Sequence, residues 1–487
     1  MRQIYIRELS SYTPRDLSNM LDISEDAAYL CIEKLSAQGV LKLRSNNDES
    51  EYDPADTRPI RGSYQFVYVG LALFRDFCLV VYPKYMPIVK PDEPGRRIKQ
   101  AMRQIFRVLR LSSGSYSQVA TLSEEGTRDK DRLPLMLALL ESYEEYGVYS
   151  NYVRTIEDNG AGDINWERTI ASNLPVISNG TPLYLDYKTN KSNPDSSDFV
   201  TKLHRSVLTE CSRFFQDSGM AELLGLGEIS LSNKKVDEYG EAGYLIYMLE
   251  RERGTQFVTW KQDVMDMLLR YIGECDSLTY ADEAICLGTS SFYHVWEMAC
   301  KVAFGDALAE RLGNLGMDLS PYWEERNAET LLSIIPKPLW TAITKNGEYD
   351  CGGASTLIPD IVLPTHSASG KSIFAILDAK YYTPALGNEM KGLPGIEAIA
   401  KQFLYQSAYR NFIVDQGFDA VVHAFVAPTA DDDIQHVGRV RLPSLMPEEE
   451  TPLSNTVELY KLPAQKVFDA YLAGTRLDAA SLFSIIE

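Results

Sequence analysis

The sequence has no long apolar run, no excess of basic residues and no closely spaced cysteines, and each absence excludes a class of protein. No stretch of about 18 apolar residues occurs, so no membrane span is predicted. The N-terminal residues MRQIYIRELSSYTPRDL lack the apolar core of a secretory signal. The scattered cysteines argue against a disulfide framework and against a structural zinc site. We therefore expect a cytoplasmic protein.

Basic residues are in the minority. The chain has 48 Lys and Arg against 68 Asp and Glu, a formal net charge of -20. Phosphate backbones are bound largely by Lys and Arg, which release counterions. A chain this acidic should bind nucleic acid weakly by itself, so any action on DNA requires local basic patches, a divalent metal or a partner. The sequence also lacks a G-x-x-x-x-G-K-[ST] loop, so we do not expect it to hydrolyse nucleotides itself.

The N-terminal segment, residues 1–45, has the pattern of a winged-helix-like unit. Thr13-Pro14 is a helix start, and Ser24 precedes a second helix that Gly39 would end. A short strand, VLKLR, follows. Because the charged residues of the second helix are three acids against a single lysine, the pattern leaves open DNA recognition, a protein contact or a purely structural role.

The middle of the chain is expected to be rich in strands at residues 60–200 and helical at 201–275. Its most basic stretch, RRIKQAMRQIFRVLR, has its basic residues at helical spacing on one face. These residues are Arg96, Lys99, Arg103, Arg107 and Arg110. The face is either simply solvated or a contact surface for phosphate or an acidic partner.

An apolar run in FAILDAKYY carries one acid, Asp378, and one amine, Lys380. In a strand these residues point to the same face. An upstream run, TLIPDIVLP, carries Asp360, and a turn-rich segment between the two runs predicts a hairpin. The hairpin would bring Asp360 close to Asp378.

Two carboxylates and the carbonyl of Ala379 form an oxygen-rich set that suits Mg²⁺. Lys380 would orient or help deprotonate an attacking water and stabilise charge on a phosphate. The simpler alternative is an ion pair at a strand end. Two flanking helices favour the catalytic interpretation, because one offers Glu297 as a third carboxylate and the other offers Gln402 to position water or substrate. This order matches the PD-(D/E)xK nuclease pattern over residues 276–430, followed by an extension at 439–487.

Several segments together resemble the LlaJI-type restriction endonuclease family, which is related to the McrC nuclease subunit. They are YIRELSSYTP, FVYVGLALFRDFCLVVYPKYM, GDINWERTI, GTPLYLDY, FYHVWEMACKVAFG, IPDIVL, ILDAKYY and IAKQFLYQSAY. The resemblance implies a subunit that cuts double-stranded DNA with Mg²⁺ in a host defence system. It also implies a McrB-like AAA+ GTPase partner, expected as a hexameric ring, that recognises and translocates DNA. Residues 60–200 are the expected dock for that partner.

The expected fold is thus multidomain, of the α+β and α/β classes, with a winged-helix-like unit, a β-rich middle and a C-terminal PD-(D/E)xK domain. By the resemblance, Asp360, Asp378 and Lys380 form the catalytic core, with Glu297 and Gln402 as further members. Asp360, Asp378 and Glu297 are the expected metal ligands. Two other functions stay open: a stand-alone PD-(D/E)xK nuclease acting on other nucleic acids, or a non-catalytic regulator of an AAA+ partner.

Overall fold

A computed structural model describes residues 1–44, 62–114, 132–195, 197–273, 284–345, 347–353, 355–387, 390–443 and 452–477. The chain divides into two compact units. Unit one comprises residues 1–126 and 281–487, and unit two comprises residues 127–280. In sequence, unit two is therefore inserted between the two halves of unit one.

The strands and helices alternate irregularly along the chain. The strands are β1 (Arg2–Arg7), β2 (Ser11–Tyr12), β3 (Leu41–Leu43), β4 (Tyr64–Phe66), β5 (Val69–Phe74), β6 (Phe77–Tyr82), β7 (Tyr152–Asp158), β8 (Asp163–Ile164), β9 (Val176–Ser178), β10 (Thr181–Leu183), β11 (Lys188–Pro194), β12 (Ala284–Thr289), β13 (Leu339–Thr344), β14 (Gly347–Gly352), β15 (Ile361–His366), β16 (Ser372–Ala379), β17 (Ala420–Thr429), β18 (Gln435–Arg441) and β19 (Thr456–Pro463). The helices are α1 (Pro14–Leu21), α2 (Glu25–Ala37), α3 (Gly95–Ser113), α4 (Arg132–Tyr146), α5 (Trp166–Ser172), α6 (Phe199–Asp217), α7 (Met220–Leu224), α8 (Ala242–Arg253), α9 (Thr259–Gly273), α10 (Phe292–Phe304), α11 (Pro321–Glu324), α12 (Ile396–Asp415) and α13 (Ala464–Ala473).

Two capped helices stand near the start of unit one. The Thr13 hydroxyl accepts a hydrogen bond from the backbone N–H of Asp16 at 3.2 Å, and the Asp16 carboxylate accepts one from the N–H of Thr13 at 2.9 Å. This reciprocal pair is a capping box that fixes the start of α1. The order helix, helix, strand expected over residues 13–45 is present. The sheet of this segment extends past residue 45, because β4 lies between β2 and β3 and pairs with both.

A buried sheet follows in the order β1-β6-β5-β12. β5 and β6 form a hairpin around Arg75, which adopts a positive φ of 52°. β12, from the far side of the insertion, pairs antiparallel with β5. Gly70 and Gly288 face each other in this pair, and a Cβ on Gly70 would lie 2.3 Å from the carbonyl oxygen of Leu287. Only glycine permits the two strands to approach this closely.

A second sheet in unit one has the order β15-β16-β17-β19-β18. β16 is antiparallel to β15 and parallel to β17, so the two edges of β16 are paired differently. Phe374 on β16 packs against Tyr409 and Phe412 of α12, with ring centroids 5.1 and 6.0 Å apart. β19 pairs with β17 in parallel, so the sheet continues past residue 430, the expected end of the nuclease domain. The expected extension thus contributes strand β19 to the same sheet.

Unit two combines small sheets with helices. β11 lies between β7 and β8, and β9 pairs with β10. Helix α6 is the central helix, since it contacts α4, α7 and α8. The buried His204 of α6 accepts a hydrogen bond on Nδ1 from the backbone N–H of Tyr149 at 3.0 Å. The region expected at 60–200 is divided, because β4 to β6 and α3 belong to unit one and β7 to β11 to unit two.

The helices of the described residues include none that combines the length and the apolar character required to cross a membrane.

Candidate active site

Strand β16 places Asp378 beside the beginning of a neighbouring strand. Ile361 of β15 pairs with Leu377, so Asp360, the residue before β15, lies next to Asp378. The antiparallel pairing causes this proximity, because the start of one strand meets the end of the other. On the other side, Asp378 pairs with Phe425 of β17. The hairpin predicted from the sequence is present and brings both aspartates to one end of the sheet.

Lys380 forms a close ion pair with Asp378. The distance from its Nζ to Asp378 Oδ1 is 2.7 Å, and the side chains are 25% and 9% exposed. The backbone N–H of Lys380 donates to the carbonyl of Val426 at 3.0 Å, which ties the residue to β17. Burial by itself would lower the pKa of Lys380, but attraction by Asp378 and Asp360 outweighs it and raises that pKa. Lys380 is therefore a positively charged ammonium at neutral pH.

Asp360 is the carboxyl group most affected by its surroundings. Its Oδ2 accepts a hydrogen bond from the backbone N–H of Ala379 at 3.0 Å. Burial raises its pKa to about 7, aided by the charge of Asp378, a hydrogen bond with Asp378 and the charge of Glu297. Lys380 acts in the opposite direction. Two carboxyl groups crowded in a buried place thus hold a proton near neutral pH.

Gln402 reaches the same place from α12. It is fully buried, and its Nε2 lies 3.5 Å from Asp378 Oδ2, a long hydrogen bond. Within the described residues, no donor is within hydrogen-bond distance of its Oε1. A buried amide oxygen without a donor is costly and marks a place where a further ligand fits.

Glu297, the third expected metal ligand, pairs with a lysine of its own helix. It accepts a hydrogen bond from Lys301 Nζ at 2.7 Å, and His294 Nδ1 lies 3.8 Å from its other oxygen. Its charge contributes to the raised pKa of Asp360, so it is within electrostatic range of the aspartates. In the part of the chain that the structure describes, no three His, Cys, Asp or Glu side chains form a metal-binding group.

Helix α10 is held in place by the tryptophan next to Glu297. The buried Trp296 donates from Nε1 to the carbonyl of Val426 at 3.2 Å, the same carbonyl that Lys380 uses. Glu297 and Lys380 are thereby positioned relative to one point on β17.

Two further residues at this end of the sheet were not among the expected site residues. The Tyr405 hydroxyl donates to the carbonyl of Ile358 at 3.0 Å, and burial together with Asp360 and Asp378 raises its pKa to about 12. Asp306 accepts a hydrogen bond from the N–H of Val362 at 2.9 Å, which holds the start of β15. Tyr405 could have been identified from the sequence, because it lies three residues after Gln402 on the same helix face. Asp306 lies in a loop, where no sequence pattern indicates its position.

Tyr381 links the end of β16 to the N-terminal strand. Its hydroxyl donates to the buried carboxylate of Glu8, which also accepts from the backbone N–H of Lys84 at 3.0 Å. The ammonium of Lys84 lies 4.5 Å from the centre of the Tyr381 ring. Phe292, the first residue of α10, packs on the same ring with centroids 5.2 Å apart. Nothing in the local sequence predicts these contacts.

The basic helix predicted from the sequence is α3, and it packs against α13 and α10. Met102, Ile105, Phe106 and Leu109 are buried on its inner side. Of the five basic residues, Arg96 and Arg107 are exposed, and the other three, Lys99, Arg103 and Arg110, are half-buried. The guanidinium of Arg97, the residue after Arg96, lies 3.5 Å from the carboxylate of the exposed Asp432.

Comparison with known proteins identifies relatives. The model of the LlaJI restriction endonuclease family matches residues 68–446. A type II restriction enzyme BsuMI component, YdjA of Bacillus subtilis strain 168, is 24% identical over 437 residues, which cover 88% of this chain and 84% of that protein.

A solved structure was also found, a half-complex of Thermococcus gammatolerans McrB AAA+ hexamers with bound McrC, from a tetradecameric assembly. It covers 99% of this chain and 100% of the matched chain at 14% identity, but its TM-score of 0.37 is too low to support an inference. The family match spans most of the sequence and includes Asp360, Asp378 and Lys380. The chain belongs to the LlaJI restriction endonuclease family.

Proposed function

We propose that this chain is the Mg²⁺-dependent endonuclease subunit of a restriction or anti-phage system and hydrolyses phosphodiester bonds of double-stranded DNA. The observation that carries the proposal is the packing of Asp360, Asp378 and Lys380 at one end of a mixed sheet. In this interpretation the sheet from β15 to β19 with α10 and α12 is a PD-(D/E)xK domain. Membership of a restriction endonuclease family supports the same chemistry.

The residues at this site suit Mg²⁺. Burial, together with repulsion from Asp378, raises the pKa of Asp360 to about 7, and a divalent cation would stabilise the charged form of both carboxyl groups. Mg²⁺ is commonly held by one or two carboxylates together with substrate phosphates, so a third carboxylate is not required. Asp360 and Asp378 would hold the ion, and Glu297 would add negative charge nearby. When bound, Mg²⁺ supplies Lewis acidity at the phosphate and lowers the pKa of a coordinated water.

The protein's own side chains supply the remaining functions. Lys380 is a charged ammonium that would neutralise a phosphate oxygen and orient the attacking water. The buried Gln402 has an amide oxygen that would accept a hydrogen bond from that water. Burial of Asp378 and Gln402 excludes bulk solvent and strengthens each of these interactions.

The proposal includes a McrB-like AAA+ GTPase partner, as a hexameric ring, that recognises and translocates DNA. The net charge of -20 supports such a partner, because an acidic chain binds DNA weakly and the partner would supply the missing DNA affinity. The name of the Bacillus subtilis relative, a restriction enzyme component, supports a multi-subunit system as well. Residues 60–200, including the basic face of α3, are the proposed dock.

The decisive test is cleavage of duplex DNA by purified variants, with and without GTP and a co-expressed partner. Asp378→Ala and Lys380→Ala should abolish Mg²⁺-dependent cleavage while the circular dichroism spectrum and melting temperature stay close to those of the parent. Asp433→Ala, an exposed acid on the loop after β17, is the matched control and should cut normally.

Undiminished cleavage by either active-site variant would remove the assignment. Cleavage that needs neither partner nor GTP would favour the stand-alone nuclease. A complete lack of cleavage in every combination would favour the non-catalytic regulator.

A further inference from the structure

Asp360 lies just before the edge strand of its sheet. Strand β15 begins at the next residue, Ile361, and it is the first strand in the order β15-β16-β17-β19-β18. The pairing with β16 starts at Ile361, which lies opposite Leu377. The position of Asp360 therefore depends on the contacts that hold the chain on either side of it, in addition to the strand pairing that follows.

The loop after α10 binds the outer side of β15. Asp306 Oδ1 accepts a hydrogen bond from the backbone N–H of Val362 at 2.9 Å and another from that of Leu308 at 3.1 Å. The backbone N–H of Ala307 donates to the carbonyl of Val362 at 2.8 Å. Both backbone groups of Val362 are thus bonded to one loop, much as a neighbouring strand would bond them. Val362 is only two residues from Asp360.

The end of α10 directs Asp306 towards β15. Gly305 follows the helix with a positive φ of 68°, a common way for a helix to end, and its N–H donates to the carbonyl of Val302 at 3.1 Å. The backbone N–H of Asp306 donates to the carbonyl of Lys301 at 2.9 Å. Asp306 therefore joins the last turn of α10 to the first residues of β15.

The side chain of Lys301 connects this contact to the candidate site. Its ammonium lies 2.7 Å from Glu297. Burial by itself would lower the pKa of Lys301, but the attraction of Glu297 outweighs it. The charges of Asp360 and Asp306 raise the same pKa further. Asp306 and Asp360 are therefore both within electrostatic range of one ammonium group.

A second contact holds the chain before Asp360. The hydroxyl of Tyr405 donates to the carbonyl of Ile358 at 3.0 Å. The carboxylate of Asp360 itself accepts from the backbone N–H of Ala379 at 3.0 Å. The main chain around Asp360 is thus fixed from both directions, by Tyr405 two residues before it and by Asp306 two residues after it.

We infer that Asp306 is a positioning residue for Asp360 and thereby determines how tightly the candidate site binds Mg²⁺. Asp306 acts through the backbone, because its Oδ1 is engaged by Val362 and Leu308. Mg²⁺ demands near-ideal octahedral geometry, so a carboxylate held in one place binds it more tightly than a mobile one. Residues that orient metal ligands change metal affinity roughly 10- to 100-fold when they are removed. The inference rests on the proposed function, since it concerns the same site.

The test compares Mg²⁺ binding by full-length variants, measured from the rise of the melting temperature with Mg²⁺ concentration. Asp306→Ala should need about tenfold more Mg²⁺ than the parent for the same stabilisation. In cleavage of duplex DNA, the Mg²⁺ concentration for half-maximal rate should rise by the same factor. The rate at saturating Mg²⁺ should change much less, because Asp306 does not touch the reacting atoms.

Two milder variants separate the hydrogen bonds from the charge. Asp306→Asn keeps an oxygen acceptor for both N–H groups, so it should bind Mg²⁺ like the parent. Asp306→Glu keeps the charge but moves the carboxylate by one methylene, so it should need several times more Mg²⁺. The Glu variant also retains an acceptor at the loop, which keeps the test available if Asp306→Ala does not fold.

Asp419 offers a matched control at the other end of the sheet. Its Oδ2 accepts from the backbone N–H and the hydroxyl of Ser372, the first residue of β16, at 2.7 and 2.9 Å. Asp419→Ala therefore breaks a similar contact between a carboxylate and a strand end. It should lower the melting temperature, as Asp306→Ala does, and leave the Mg²⁺ requirement unchanged.

A Mg²⁺ requirement that stays at the parent value in Asp306→Ala and Asp306→Glu would overturn the inference. An equal increase in Asp419→Ala would do so as well, because the effect would then come from general loosening of the sheet. These outcomes are separate from the proposed function. If Asp378→Ala abolishes cleavage while the Asp306 variants bind Mg²⁺ normally, the nuclease assignment stands and Asp306 only protects the edge of β15.

Discussion

The hydroxyl of Tyr381 donates a hydrogen bond to the carboxylate of Glu8, a residue 373 positions earlier in the chain. Tyr381 directly follows Lys380, and both partners of the bond are buried. Burial raises the pKa of Glu8, while Lys84, Tyr381 and Arg7 favour its charged form. The end of the candidate catalytic strand is thereby fixed to the N-terminal strand β1 through a buried polar group.

Tyr381→Phe should destabilise the protein, because it removes a donor from a buried carboxylate and retains the ring packing. We expect a loss of about 1–3 kcal/mol in the free energy of unfolding, measured by urea titration. Glu8→Gln should cost less, since an amide still accepts the hydrogen bond from Tyr381 and carries no buried charge. Equal stability of the parent and Tyr381→Phe would show that the bond does not hold this strand end.

Gln402 and Gln406 form a matched pair of buried glutamines on one helix. Gln406 is fully engaged, since it contacts His423 Nε2 at 3.1 Å and both the N–H and the carbonyl of Ser454. Gln406→Ala should therefore cost roughly 2–4 kcal/mol of stability. Gln402→Ala should cost about 1 kcal/mol or less but lower the cleavage rate roughly 10- to 100-fold, as expected for a positioning group.

The opposite pattern, with Gln402→Ala unstable and fully active, would make Gln402 a structural residue. Urea unfolding and single-turnover cleavage on the same two preparations separate the alternatives.

Asp360 makes the stability of the metal-free protein depend on pH. Its pKa in the folded state is about 7, against an ordinary value of 3.8, so the folded protein binds this proton more tightly than the unfolded chain. As the pH rises from about 4 to 7, the charged form becomes costly and stability falls, and above about 7 the loss is complete. Asp360→Asn does not titrate, so its stability relative to the parent should rise over this range in EDTA and then level off.

Mg²⁺ should reverse this difference. At about pH 7.5, a Mg²⁺ concentration ten times its dissociation constant stabilises the parent by about 1.4 kcal/mol. Asp360→Asn and Asp378→Asn should gain far less, because each has lost a ligand. If Mg²⁺ leaves the melting temperature of the parent unchanged, metal binding at these residues is contradicted, independently of any activity assay.

The basic face of α3 offers a test of the partner. Arg96 and Arg107 are its exposed members, so charge reversal there disturbs little packing. The double variant Arg96→Glu, Arg107→Glu should lose most of the co-purifying AAA+ partner in a pull-down, because like charges then meet at the dock. Its DNA binding and basal cleavage without the partner should match the parent. Undiminished recovery of the partner would indicate that the basic face is exposed to solvent and does not contact the partner.

The sequence predicted the hairpin that underlies the candidate site, because local patterns specify it. The apolar runs around Asp360 and Asp378, with a turn-rich segment between them, specify a hairpin, and the hairpin brings the two acids together. Gln402 was predictable in the same way from its helix face. The family match then supports the general chemistry without testing these residues one by one.

Other features depend on contacts distant in sequence. The link between Glu8 and Tyr381 joins segments that share no pattern. The place of β19 within the sheet follows from its parallel pairing with β17, and a parallel crossover leaves no short-range signal.

The insertion of unit two affects how the protein is made. On the ribosome, β5 emerges well before β12, because all of unit two is synthesised between these paired strands. Unit two can fold during this interval, whereas the sheet of unit one is completed only after β12 has been synthesised. Glu8 and its partner Tyr381 are separated further still, by 373 positions, so this hydrogen bond forms even later in synthesis. A chain released before β12 therefore lacks the complete sheet, and one released before Tyr381 lacks the hydrogen bond that fixes the end of β16.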